Sequence, residues 1–233
     1  SRPPVSRPRS PSGCARPSAQ QPYDVLITGG SVLNGVGTPA VRADVGIRDG
    51  RIATIGDLSA AAATRRIDAS GLTVAPGFID MHNHSDYTIL VEPKAESMIR
   101  QGVTTMVLGE SRSAGPIKAG AEEARARADG ITVDWTTLGG YFAKLEQKHM
   151  STNIASYVGE EQVWTYVKGY DESPATPQEL DEMKRLIAAA MEDGAMGLST
   201  ALLQPPSSFA TTANLIELAK TAKQYGGIYS SHI

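Results

Sequence analysis

The stretch Thr73-Val74-Ala75-Pro76-Gly77-Phe78-Ile79-Asp80-Met81-His82-Asn83-His84 passes from apolar to metal-liganding residues, and two of the chain's four histidines stand at its end. In an extended strand, side chains at i and i+2 share a face and lie about 6 to 7 Å apart along the chain. His82 and His84 can therefore converge on one ion, as zinc sites require. Imidazole is the commonest metal ligand that proteins offer. The stretch reads as a strand whose carboxyl end is a metal-binding edge.

Downstream the pattern repeats as apolar strand, polar loop and amphipathic helix, which implies a parallel sheet with helical crossovers. Strands are expected over residues 74–80, 103–108, 154–158, 196–200 and 228–231. A helix is expected after Thr176-Pro177-Gln178-Glu179, where threonine caps, proline fits the first turn and the glutamate completes a capping box. Leu180, Met183, Ile187 and Ala190 then form its buried stripe. A second helix carries Leu138, Tyr141, Phe142 and Leu145, with Asp134 as its expected cap and its aromatics read as core. Leu215, Leu218, Ala219 and Ala222 mark a third, which stops at Gly226-Gly227. Five such strand-helix units make the chain α/β, either a partial TIM-type barrel or a doubly wound sheet. Both architectures place chemistry at the carboxyl ends of the strands.

Other residues at those ends join the candidate site. Glu110 follows Val107-Leu108-Gly109 and is expected to be a bridging or terminal metal ligand. His232 follows Tyr229-Ser230-Ser231 and is expected to be another. Asp80, two residues before His82, is the expected hydrogen-bond acceptor that fixes the ligands from behind. His149 in Glu146-Gln147-Lys148-His149 reads as a surface residue. Glu160 and Glu161 read as solvated loop acids, and residues 118–127 as a charged, solvated stretch.

Upstream of Thr73 the chain shows short strands punctuated by glycine, over residues 24–28, 45–48 and 51–55, with Asp49-Gly50 as a hairpin turn. Asp44, Arg48 and Arg51 alternate with apolar neighbours, which predicts one wet face. The first 22 residues hold Arg2, Arg7, Arg9 and Arg16, many prolines and no acid, a composition that cannot repay ordering and is expected to be a disordered tail. Removing those four positive charges from the net charge of −3 leaves −7 on residues 23–233, which argues against a nucleic-acid partner. With 233 residues and 41% hydrophobic content the chain can bury a sizeable core. No apolar run reaches the roughly 18 to 20 residues of a membrane-spanning helix. The single cysteine, Cys14, excludes an internal disulfide framework.

These phrases resemble, in order, the amidohydrolase superfamily and within it the N-acyl-D-amino-acid deacylase branch. Residues 74–84 look like its first-strand signature and Gln101-Gly102-Val103-Thr104-Thr105 like the entry to its second strand. Gly197-Leu198-Ser199-Thr200 is similar to the fourth-strand motif, and Tyr229-Ser230-Ser231-His232 to the fifth. The resemblance covers residues 23–233. It implies a distorted TIM barrel over residues 73–233 beside a small β-sandwich to which residues 23–72 contribute. It also implies His82 and His84 on one metal position and His232 on a second, with zinc, or else manganese or cobalt, as the ion.

The activity implied is release of a D-amino acid from a small N-acyl amide by attack of metal-activated water, with an aspartate moving the proton. A cyclic-amide hydrolase or a dipeptidase of the same superfamily, or a non-catalytic metal-binding module, are the alternatives. Glu110 stands where deacylases of this branch often carry a cysteine ligand, and a carboxylate is harder than a thiolate, which bears on the metal preferred. Gln204, in Leu203-Gln204-Pro205-Pro206, stands where relatives often have tyrosine. A complete barrel takes eight strands and roughly 250 residues. The chain is thus expected to be an amino-terminal part, with a further metal-binding histidine and the catalytic aspartate beyond Ile233.

Overall fold

The computed structural model describes residues 21–120 and 124–232. The tail expected to be disordered lies outside the described residues except for its last two positions. The chain divides into two compact units, one ending at Pro76 and the other beginning at Gly77.

The first unit holds β1 (Tyr23–Val32), β2 (Val41–Arg48), β3 (Arg51–Gly56), β4 (Ala63–Asp68) and β5 (Thr73–Val74). Their order is β3-β2-β1-β4, with β5 also on β1. The β2–β3 hairpin turns at Asp49-Gly50, whose φ values of 52° and 69° are those a two-residue primed turn needs. Asp44 corrects the expectation of a wet position. It is 9% exposed, and its carboxylate accepts from the amides of Gly29 at 2.8 Å and Leu58 at 3.0 Å, so it closes two loops. The strand β4 was not expected, because Arg65 and Arg66 break its apolar pattern; both are exposed.

The second unit begins with β6 (Phe78–Asp80), α1 (Thr88–Val91), α2 (Glu96–Ile99), β7 (Val103–Leu108), α3 (Ala124–Ala128), α4 (Leu138–Lys148) and β8 (Asn153–Ser156). It continues with β9 (Val158–Gly159), α5 (Glu160–Lys168), α6 (Pro177–Glu192), β10 (Gly197–Thr200), α7 (Thr212–Gln224) and β11 (Ile228–Ser231). The strands form β6-β7-β8 and β9-β10-β11, and every pairing is parallel. Only Tyr157 separates β8 from β9, and the Met196 amide donates to the Ser156 carbonyl at 2.9 Å. The strands therefore follow one another in chain order.

The strand expected over residues 74–80 is in fact two. Thr73 and Val74 pair with β1 of the first unit, whereas Phe78 to Asp80 pair with β7. Pro76 lacks the amide a ladder needs. A Cβ on Gly77 would lie 2.1 Å from Thr104 Oγ1, so only glycine lets the backbone pass.

The core of this unit joins Met106, Leu108, Leu138, Tyr141, Trp164, Met183, Ile187, Leu198 and Leu218, all at most 1% exposed. Tyr141 is core as expected, and its hydroxyl donates to the Asp86 carbonyl at 2.6 Å. The α6 capping box is present, with Thr176 and Glu179 reciprocally bonded. The α4 cap is Thr137, which accepts from Gly140 N at 3.0 Å, and not Asp134. Asp134 lies too far upstream to reach the first amides and pairs with Lys144 instead.

Candidate metal centre

The strand β6 stops at Asp80, so His82 and His84 stand in the loop beyond it and not on the strand itself. A clasp of polar bonds shapes that loop. Asp80 Oδ1 accepts from the His82 amide at 3.3 Å, and Asp80 Oδ2 accepts from Asn83 Nδ2 at 2.6 Å. Asn83 Oδ1 in turn accepts from the Ser85 amide at 2.9 Å. Asp80 thus meets the backbone of His82 and the side chain between the two histidines. The Asn83 part of this clasp was missed in the sequence, although the Asp-x-x-Asn-x-Ser spacing carries the signal of side-chain-to-backbone turns.

At the other end of the unit, His232 directly follows β11. Its amide donates to the Thr200 carbonyl at 2.8 Å, continuing the β10–β11 ladder by one step. This holds the ring against the loop after β6. The His82 ring centroid is 5.0 Å from that of His84 and 4.6 Å from that of His232. One ligand atom from each of the three lies within 4.8 Å of the others. His232 Nδ1 is buried without a hydrogen-bond partner, which a metal or a bound ligand would satisfy.

Glu110 is outside that cluster of three, yet it is aimed by unusual backbone. Gly109 and Ser111, on either side of it, have φ of 81° and 61°. At Gly109 a Cβ would also fall 2.4 Å from the Tyr157 carbonyl oxygen, so glycine is required there. Glu110 is 3% exposed. Its Oε1 is 3.5 Å from Ser230 Oγ, two residues before His232, and its Oε2 is buried without a partner. A buried carboxylate oxygen left unpaired is costly, and a cation would relieve that cost. Three imidazoles and a carboxylate are the donor set that divalent zinc takes.

His149 is exposed at the end of α4, remote in sequence from these strand ends. Glu160 overturns the reading of a solvated loop acid. It is the first residue of α5 and 0% exposed. Burial raises its carboxyl to about 7, the Ser207 hydroxyl lowers it in part and the charge of Glu161 raises it further. Glu161 is half-buried, accepts from Ser111 Oγ at 3.1 Å and faces Arg112 at 3.6 Å.

An amidohydrolase family model matches residues 65–230. A D-aminoacylase of Alcaligenes xylosoxydans xylosoxydans is 39% identical over 219 residues, a match covering 93% of this chain and 45% of that protein. Among solved structures, the N-acyl-D-glutamate deacylase of Bordetella bronchiseptica, complexed with zinc and a phosphonate mimic of the tetrahedral intermediate, superposes with a TM-score of 0.85 at 38% identity. That match covers 91% of this chain and 45% of the deacylase. A D-aminoacylase with a binuclear metal centre superposes with a TM-score of 0.81 at 34% identity, over 91% of this chain and 45% of that one. The chain therefore spans a little under half the length of these relatives. With the family match running from β4 to β11 and the histidines gathered at the strand ends, the chain belongs to the amidohydrolase family.

Proposed function

We propose that this chain is part of a metal-dependent hydrolase of amide bonds that releases a D-amino acid from an N-acyl-D-amino acid. The observation that carries the reading is the convergence of His82, His84 and His232, brought together from the two ends of one parallel-stranded unit. The names of the relatives supply the substrate class. In this reading residues 73–233 are five strand-helix units of a TIM-type barrel, and residues 23–72 belong to a small β-sandwich. Parallel strands in chain order, with polar residues at their carboxyl ends, support it.

His82, His84 and His232 would hold the ion, and Glu110 would add a carboxylate. Zinc suits the imidazoles, and manganese or cobalt suits a site with a harder oxygen ligand. When bound, a divalent ion supplies Lewis acidity toward an amide carbonyl and makes a water more acidic. The chain's own residues do the positioning. Asp80 and Asn83 hold the turn on which His82 and His84 sit, and the Thr200 carbonyl fixes the backbone of His232. The exposed side of His82 and His84 is where a small amide would approach. No proton-moving carboxylate is assigned among the described residues.

Zinc titration of the purified chain, followed by calorimetry and metal analysis, tests the site. Zinc is expected to bind, and His232→Ala to weaken it at least about tenfold, the loss typical of removing even a supporting group. Zinc affinity unchanged in His82→Ala and His232→Ala refutes the site. The protein that contains this chain, loaded with zinc, is expected to hydrolyse N-acetyl-D-amino acids and to spare the L enantiomers. Equal rates on both hands would remove the deacylase reading while leaving the metal site standing.

A further inference from the structure

The segment that presents Glu110 is bent in a way its own residues do not favour. Ser111 has a φ of 61°, and the Arg112 amide donates to the Glu110 carbonyl at 2.7 Å. Residues 110–112 thus close a three-residue turn centred on a positive-φ serine. Turns of that hand are rare and strained, and they persist only where the surroundings hold them. A side chain of another strand does the holding. Ser199, on β10 and 0% exposed, accepts from the Ser111 amide at 2.9 Å and donates to the Gly109 carbonyl. One hydroxyl, acting as donor and acceptor at once, therefore grips the two peptide groups that flank Glu110.

The Glu110 carboxylate has little to direct it apart from that backbone. Its Oε1 receives one long contact, from Ser230 Oγ at 3.5 Å, and its Oε2 is buried without a partner. Ser230 is the register partner of Ser199 in the parallel β10–β11 ladder. Two residues beyond Ser230, the His232 amide donates to the Thr200 carbonyl at 2.8 Å, on the residue after Ser199. The backbone around Glu110 and the backbone of His232 are thus tied to adjacent positions of one strand, Ser199 and Thr200. The spacing between the carboxylate and the imidazole follows from that ladder.

We propose that Ser199 is a positioning residue for the metal centre: its hydroxyl holds the strained turn at Ser111 and so fixes Glu110 in register with His232. The proposal rests on the reading of Glu110 as a metal ligand. Ser199 itself is bonded to backbone and acts only through Glu110. Without its hydroxyl the Ser111 amide and the Gly109 carbonyl lose their partner inside the protein, the turn is free to relax, and the carboxylate swings away from the place His232 shares with it.

Cobalt(II) loaded into the protein that contains this chain tests this, because its visible absorption bands report which ligands surround the ion. Ser199→Ala is expected to weaken cobalt binding about tenfold and to move the bands as Glu110→Gln moves them. The double variant should bind no more weakly than Glu110→Gln alone, since both changes act through one carboxylate. Hydrogen exchange should rise in residues 109–113 of Ser199→Ala and stay at the wild-type rate in α6. If the alanine variant fails to fold, Ser199→Thr against Ser199→Val gives the same comparison at matched shape, with the threonine expected to keep the wild-type bands and the valine to lose them. Bands unmoved by Ser199→Ala or Ser199→Val but moved by Glu110→Gln overturn the proposal and leave the metal reading standing. Bands unmoved by Glu110→Gln remove Glu110 from the centre and the role of Ser199 with it, and a wild-type protein that takes up no cobalt defeats the metal reading itself.

Discussion

Burial strips water from the Glu160 carboxyl, Ser207 returns part of the lost solvation and Glu161 adds like-charge repulsion, with the result that Glu160 is raised from 4.5 to about 7. In the unfolded chain it titrates near its ordinary value, so between pH 4.5 and 7 the folded state holds a proton that the unfolded state has released. Stability from this residue is complete below that window and is lost as pH rises through it, by up to about 3 kcal/mol. Glu160→Gln cannot ionise, so denaturant unfolding should show the variant gaining on wild type steadily across that window. A difference that does not change with pH would contradict this. The histidines of the site were legible in the sequence because each follows an apolar strand, a one-dimensional pattern. Glu160 was not, because Glu160-Glu161 reads like any acidic first turn. Its burial is decided by the approach of Gly159 to Ser111, 48 positions earlier by the chain numbering, and nothing local encodes that contact.

Elements show the same division between local and distant causes. Thr176-Pro177-Gln178-Glu179 carries its complete start signal within four residues, and α6 begins where that signal says. Replacing Thr176 with alanine removes the acceptor for Glu179 N and should cost about 1 kcal/mol, read as a lower denaturation midpoint with unchanged slope. Further along the same helix, Ile187 is 0% exposed within the main core. Ile187→Ala leaves a cavity as well as losing contact and should cost about 2 to 5 kcal/mol. If the two costs come out equal, the stability of α6 does not rest on its buried stripe. By contrast β4 and the division at Pro76-Gly77 of the strand that precedes His82 were hidden. Arg65 and Arg66 mask the first, and the apolar residues on both sides of Pro76 hide a junction made by pairing with two different sheets.

At the scale of the whole molecule, the parallel strands end on β6 at one side and β11 at the other among the described residues. Both edges carry large apolar side chains in water: Phe78 is 64% exposed and Ile79 58%, with Ile228 at 50% and Tyr229 at 46%. Natural sheets blunt their edges with charge, proline or bulges because unpaired backbone recruits other chains, and none of these four residues is charged. Apolar area of this kind is covered when further strands lie alongside, as they do in a closed barrel. The 233-residue chain by itself is therefore expected to self-associate through these edges, with a weight-average mass in sedimentation that climbs with concentration. Ile79→Lys and Ile228→Lys place a charge on each edge without touching His82, His84 or His232, and together they should return the chain toward monomer while zinc binding stays. A chain that is monomeric across the accessible concentrations, with or without the lysines, would mean that the edges are protected in solution and that their apolar residues serve something other than pairing with further strands.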